Sequence, residues 1–384
     1  MTRSKKFKVK YLARVEGEGA LSIAIHNNKV VEADLTIFEP PRFFEAFLKG
    51  RSFEEVPDIT ARICGICPVA YQMSAVHAIE DALGMTVSEP VRMLRRLLYC
   101  GEWIESHGLH IYMLHAPDFL GYESVMEMAK DHSDAVQKGL LLKQAGNSLV
   151  ALLGGREVHP INVRVGGFYR MPTRKELMSL LDEFERARDV AIETVMWTGG
   201  FDFPECDRDY EYVSVVAEND YPFCEGRIKS SKGLDISAHD FDDHIEEIHV
   251  KRSNALHARI KTRGNYHCGP MARYNLNYDQ LSPVARHAAT QAGLEATCNN
   301  PFKSIVVRAV EVLNACNEAI DIIKNFQEPE SSQVAYPDTG GSGHAATEAP
   351  RGLLYHHYRI NEDGTIAQAR IVPPTSQNQA VIEE

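Results

Sequence analysis

Residues 59–72 read ITARICGICPVAYQ, with Cys64 and Cys67 three positions apart where a helical pattern begins. A C-x-x-C leaves three readings open. It is a chance pair of structural thiols, a dithiol redox pair, or part of a metal site. The redox reading needs a strand–helix–strand setting, and the pattern downstream is helical from about residue 68 to 200. The metal reading suits the softness of thiolates toward nickel, zinc or iron. A four-thiolate site needs a second pair, and no other C-x-x-C occurs in the 384 residues. The remaining six of the eight cysteines are scattered, and most read as small buried hydrophobes.

Working outward, 90–116 (PVRMLRRLLYCGEWIESHGLHIYMLHA) carries apolar or small residues at 94, 97, 98, 101, 104, 108 and 111, close to the 3.6 period. Residues 135–155 are apolar on most sides and end in Gly154-Gly155, a C-cap signal. Thr173 precedes Glu176 at capping-box spacing. These signals predict long helices over 90–115, 134–153 and 174–198, with further helices near 280–293 and 302–325. Upstream, 20–38 (ALSIAIHNNKVVEADLTIF) alternates on both sides of Asn27-Asn28 and predicts a hairpin, with residues 8–38 in strands. A second hairpin is expected around NEDG (361–364), and 201–265 reads as mixed structure. The fold class is α+β and predominantly helical, a central bundle of long helices with small antiparallel sheets at the periphery.

Hydrophobic residues make up 44% and charged residues 24%, ordinary for a globular chain, and the net charge of −12 disfavours a nucleic-acid partner. No run of 18 apolar residues and no leader-like segment is present, so no membrane span and a cytoplasmic location are expected. The cluster HDFDDH (239–244) is ligand-like, but such clusters are usually solvated turns, and no metal is assigned to it.

RICGICPVAY resembles the R-x-C-G-x-C-x-x-x-H signature of the large subunits of nickel–iron hydrogenases. Other segments are similar to that family in the family's order: ARVEGEG (13–19), PPRFFEAFLKGR (40–51), LHAPDF (114–119), GGREVHP (154–160), GPMARYN (269–275), EAPRGLL (348–354) and IVPPTSQNQA (371–380). The closest subfamily is the soluble, bidirectional sulfhydrogenase or NAD(P)-linked type. One departure is Tyr71, where the signature has His. A second is that the family continues to a D-P-C-x-x-C-x-x-H segment, so the resemblance implies a longer natural chain.

The resemblance implies a catalytic subunit carrying a Ni-Fe(CN)2(CO) centre. Cys64 resembles the terminal nickel ligand and Cys67 the bridging one. Glu16 matches a proton-relay carboxylate, and Arg351 a guanidinium over the metals, facing Cys67 and oriented by Asp118. Pro350 precedes that Arg. Thr375, with Ser376 as runner-up, matches a hydroxyl donor to a cyanide, and Glu45 a ligand to Mg2+ (or Fe2+) beneath the site. Glu16, Cys64, Cys67, Asp118, Pro350 and Arg351 should meet in one buried pocket, with a groove beside the cysteines. His159 is expected near the electron-exit side. The implied partners are an iron–sulfur small subunit, diaphorase-type NAD(P)/flavin subunits and maturation proteins, since the chain has neither cluster motifs nor a G-x-G-x-x-G. One domain, 1–384, is expected: N-terminal strands and magnesium segment (1–60), cysteine motif and core helices (61–200), a mixed insertion (201–265) and the C-terminal helices, hairpin and Arg segment (266–384). The alternative is a non-catalytic scaffold of the quinone-reductase-complex type with an incomplete metal site.

Overall fold

Pro68–Ala82, the helix that starts behind Cys67, is buried along nearly its whole length. A helix buried on all sides needs covering on all sides. The computed structural model, which describes residues 4–13, 18–38, 41–337 and 340–384, shows what covers it.

One side is the bundle. Glu89–Leu109 packs along Ser133–Gly154, and Leu181–Gly199 along Ser304–Asn325, which also meets Glu89–Leu109. Ser133–Gly154 stops where the sequence predicts, at Gly155 (φ +84°), whose N–H bonds the Ala151 carbonyl. Glu89–Leu109 runs on into a π-helical turn, His110–His115. The helix expected over 174–198 is instead two, Arg174–Met178 and Leu181–Gly199. The capping box at Thr173 and Glu176 forms. The Ser179 hydroxyl then donates to the Glu176 carbonyl at 2.6 Å, offering the backbone a local alternative at the break.

The other side is a sheet. Gly341–Ala349, Gly352–Ile360 and Ile366–Val372 form an antiparallel sheet in chain order. The NEDG turn joins its last two strands as expected. The first strand was not anticipated. Ala349 pairs with Gly352, so Pro350 and Arg351 form a two-residue hairpin tip. This sheet divides two apolar clusters: Leu354 and Tyr358 face the helical core, while Leu353 and Tyr355 face a smaller one with Val213, Ile228 and Phe241. Segment 201–265 supplies that smaller core through short strands, as the mixed reading implied.

A further sheet comes from Ser4–Val9, Gly19–His26 and Lys29–Ile37. Asn27 and Asn28 turn its hairpin at φ +51° and +61°. Among the described residues no helix is long and apolar enough to cross a membrane.

The Cys67 helix and the Arg351 hairpin touch closely. A Cβ on Gly343 would sit 2.1 Å from the Ala82 nitrogen and 2.2 Å from the Ala78 carbonyl oxygen. Buried Ser74 and Thr347 share a 2.6 Å hydroxyl hydrogen bond across the same seam. Gly343→Ala therefore forces helix and sheet apart, and should lower the unfolding free energy by about 1–3 kcal/mol. A urea melt checks this, and an unchanged midpoint would show that the seam is looser than it looks.

Candidate metal centre

A short 3-10 turn, Ala61–Ile63, ends at Cys64 in extended conformation, and Cys67 is the last residue before the Pro68–Ala82 helix. The turn between them brings the two sulfurs together. They are joined as a disulfide, with Cα atoms 5.4 Å apart, and the Cys67 N–H points at Cys64 Sγ at 3.0 Å. Both cysteines are buried, at 6% and 7% exposure. Two sulfurs that meet can share one ion as thiolates. The other six cysteines are free and five of them are buried, as read from the sequence.

Arg351 reaches this pair from the hairpin tip. Its Nη2 lies 4.0 Å from Cys64 Sγ, so the guanidinium reaches the cysteine pair. Its backbone is fixed by a residue to which the sequence assigned no role. Arg273, from GPMARYN, is fully buried. It donates to the carbonyls of Ala349 (2.9 Å) and Pro350 (3.0 Å), to both oxygens of Glu311 (2.7 and 2.8 Å) and to Glu348 (3.0 Å). The face of Trp103 lies 4.2 Å away. Burial opposes charge on Glu311, but Arg273, with His107, overcomes it and holds that carboxyl at about 2. Burial dominates at Glu348 and pushes it up to about 7.

A cavity of about 380 Å³ opens beside Ile66, between the two cysteines in sequence. Arg351, Arg308, His110, His267 and Thr375 line it together with apolar and uncharged polar side chains, and among the described residues no Asp or Glu does. Burial pulls Arg308 down to about 9, and His267 to about 4. The expected groove thus exists, and its charge comes from the two guanidiniums, because burial keeps both imidazoles neutral.

The other predicted residues fall in different places. Thr375 lines the cavity with Arg351. Ser376 does not. Its hydroxyl donates to the Pro373 carbonyl at 3.0 Å, inside its own helix start. Glu45 lies on Pro41–Leu48 and accepts the Ile371 N–H at 2.8 Å. Burial raises its carboxyl. It faces Glu247, which burial pushes up to about 7 against the pull of Arg370, with Glu45 adding to the rise. Glu247 sits in Ile245–Ile248, within the mixed segment, and carried no sequence signal. Asp118 is exposed, in the first turn of Ala116–Leu120, where a carboxylate suits a helix start, and it is not among the residues lining the cavity. Its expected burial is not found. Glu16 lies outside the described residues. His159 (φ +50°) bonds the Ala61 carbonyl at 2.8 Å, tying its loop to the turn before Cys64. Buried Tyr71 packs its ring against His356. Segment 239–244 is held by ion pairs, His239 to Asp81 and Asp242 to Arg370. Among the described residues no group of three His, Cys, Asp or Glu could hold a metal.

Comparison with known proteins settles the kinship. Over 382 residues the chain is 33% identical to sulfhydrogenase 1 subunit alpha of Pyrococcus furiosus, covering 98% of this chain and 88% of that one. The chain belongs to the nickel-dependent hydrogenase family, on the large-subunit side. Residues 42–145 match that family directly. The NAD-reducing hydrogenase HoxS subunit beta of Cupriavidus necator is 26% identical over 425 residues, covering 99% of this chain and 86% of that one. A crystal structure of an NAD+-reducing [NiFe]-hydrogenase superposes with a TM-score of 0.88 at 27% identity, covering 98% of this chain and 90% of that one. The Ni-Fe-Se hydrogenase of D. vulgaris Hildenborough shares the fold, with a TM-score of 0.77 at 23% identity and 98% and 90% coverage. As a hydrogenase this chain is an oxidoreductase acting on H2, which favours the enzyme over the scaffold reading.

The buried network beneath Arg351 has a pH signature. His107 Nε2 lies 3.0 Å from Glu311, and burial drops His107 from 6.5 to about 4. Between those values the unfolded chain takes up a proton that the folded chain refuses. Stability present above pH 6.5 is therefore lost as pH falls toward 4, by up to roughly 3 kcal/mol from this group. His107→Gln should flatten that part of a stability–pH profile measured by urea unfolding. An equally steep profile would assign the slope to other groups.

Proposed function

We propose that this chain catalyses H2 ⇌ 2H⁺ + 2e⁻ at a Ni-Fe(CN)2(CO) centre held in part by Cys64 and Cys67. Electrons pass to an iron–sulfur small subunit and ultimately to NAD(P), through diaphorase-type flavin subunits. The observation that carries this reading is the convergence of two buried sulfurs with the Arg351 guanidinium, 4.0 Å from Cys64, in a member of this family. The donor set fits. Two soft thiolates suit nickel and iron, and they supply part of a cage that takes further ligands.

When bound, the metal centre supplies the site where H2 is split. The chain's own groups do the rest. As thiolates, Cys64 and Cys67 would hold metal, and Cys64 would take a proton. Arg351 offers a fixed cationic donor to an anionic ligand beside the pair. Asp118 orients that guanidinium, Thr375 offers a hydroxyl to a cyanide, and Glu16 carries protons outward. Half-buried Glu45 presents carboxylate oxygen to Mg2+ or Fe2+, a hard cation that oxygen ligands suit, with Glu247 beside it. The complex works in the cytoplasm, after maturation proteins have inserted the centre.

The test uses the matured complex with its small subunit. Cys64→Ala and Cys67→Ala should each lose stoichiometric nickel and H2-dependent dye reduction. Arg351→Lys should keep its nickel and lose roughly 100-fold in rate. Full nickel and activity in either cysteine variant would remove that cysteine from the centre.

A further inference from the structure

The helix behind Cys67 starts without a cap of its own. Pro68 has no N–H, but Val69 and Ala70 do, and a helix start leaves such groups without an internal partner. Ser, Thr, Asp or Asn at the N-cap usually accepts them. Here the N-cap is Cys67, which makes no side-chain cap bond. A side chain folded back over its own helix start would point away from Cys64. The capping bonds come from elsewhere. Val69 N–H donates to Glu102 Oε2 at 2.6 Å, and Ala70 N–H to Oε1 at 3.1 Å and Oε2 at 3.3 Å. Glu102 projects from Glu89–Leu109 and is fully buried.

We propose that Glu102 is the positioning residue of the cysteine pair, its carboxyl oxygens replacing the N-cap that Cys67 does not provide and so holding the Cys67 sulfur against Cys64. What the turn needs is an acceptor rather than a charge, because Oε2 alone lies within reach of both N–H groups. Glu102 also ties the cysteine turn to the bundle. The same helix carries Trp103, whose Nε1 donates to the Glu348 carbonyl at the base of the Arg351 hairpin at 3.2 Å. Both sides of the candidate centre are therefore referenced to adjacent residues of one helix.

The proposal rests on the hydrogenase reading only for its consequence at the metal; its structural half is measured on the full chain, metal-free and reduced. The readouts are hydrogen exchange at the Val69 and Ala70 amides and the alkylation rate of Cys67 relative to Cys64. Glu102→Leu removes both acceptors and should speed exchange at the two amides by about 100-fold, with faster alkylation of Cys67. Glu102→Gln keeps a carbonyl oxygen and should stay within about threefold of wild type. Glu105→Gln, one turn along, should change neither readout. In the matured complex, Glu102→Gln should keep the wild-type nickel spectrum. If Glu102→Leu leaves both amides as protected as before, or Glu102→Gln exposes them, the proposal is overturned. If Glu102→Leu does not fold, Glu102→Gln decides alone: protected amides support the proposal, exposed ones overturn it. Failure here with nickel still bound at Cys64 and Cys67 would leave the hydrogenase reading standing.

Discussion

Arg273 is the interaction on which the rest of this structure leans. A guanidinium at zero exposure is tolerable only with its charge matched and its donors used. Glu311 matches the charge, and Glu348 and two carbonyls take remaining donors. Those carbonyls belong to Ala349 and Pro350, so the group that satisfies Arg273 also fixes the tip that carries Arg351. Glu311 comes from Ser304–Asn325 and Trp103 from Glu89–Leu109. One cation thereby joins two bundle helices to the sheet. Removing one member of such a set typically costs about 3–5 kcal/mol, because the others stay buried and unpaired.

The result is a chamber of one sign in a chain of the other. The net charge is −12, yet among the described residues the cavity beside the cysteines is lined by two guanidiniums, by two imidazoles that burial keeps neutral, and by no carboxylate. In surroundings this apolar, cations that face the same space favour an anion between them. Thiolates and cyanide ligands are anions. The described carboxyl groups around the centre are held by other partners: Glu311 and Glu348 by Arg273, Glu102 by the helix start behind Cys67, Glu45 by the Ile371 N–H and Glu247 by Arg370. This segregation suits a soft, anionic cage at the cysteine pair.

What the sequence discloses here is mostly local. The Asn27-Asn28 hairpin, the Thr173–Glu176 capping box, the stop at Gly155 and the long periodic helices each rest on residues within a few positions of one another. The break at Ser179 escapes because periodicity continues through it. The strand before Pro350 escapes because HAATEA has little strand propensity, and long-range packing on Pro68–Ala82 makes it a strand. At the site, Cys64, Cys67, Arg351 and Thr375 were readable because they sit in recognisable motifs. Glu102, Glu247 and Arg308 were not, since each acts on residues far away in sequence and none has a signature. Arg273 lay inside a recognised motif, but its role needs the Ala349 and Pro350 carbonyls. Asp118 was expected to be buried from its motif, yet the start of a five-residue helix leaves it exposed.

The account's central claim is that Cys64 and Cys67 bind one metal together. Nickel X-ray absorption on the matured complex tests it most directly, comparing wild type with Cys64→Ser and Cys67→Ser. The account predicts a sulfur-dominated nickel shell that loses a sulfur contribution in each variant that still retains metal. A shell of oxygen and nitrogen alone, or one left unchanged by both substitutions, would contradict it.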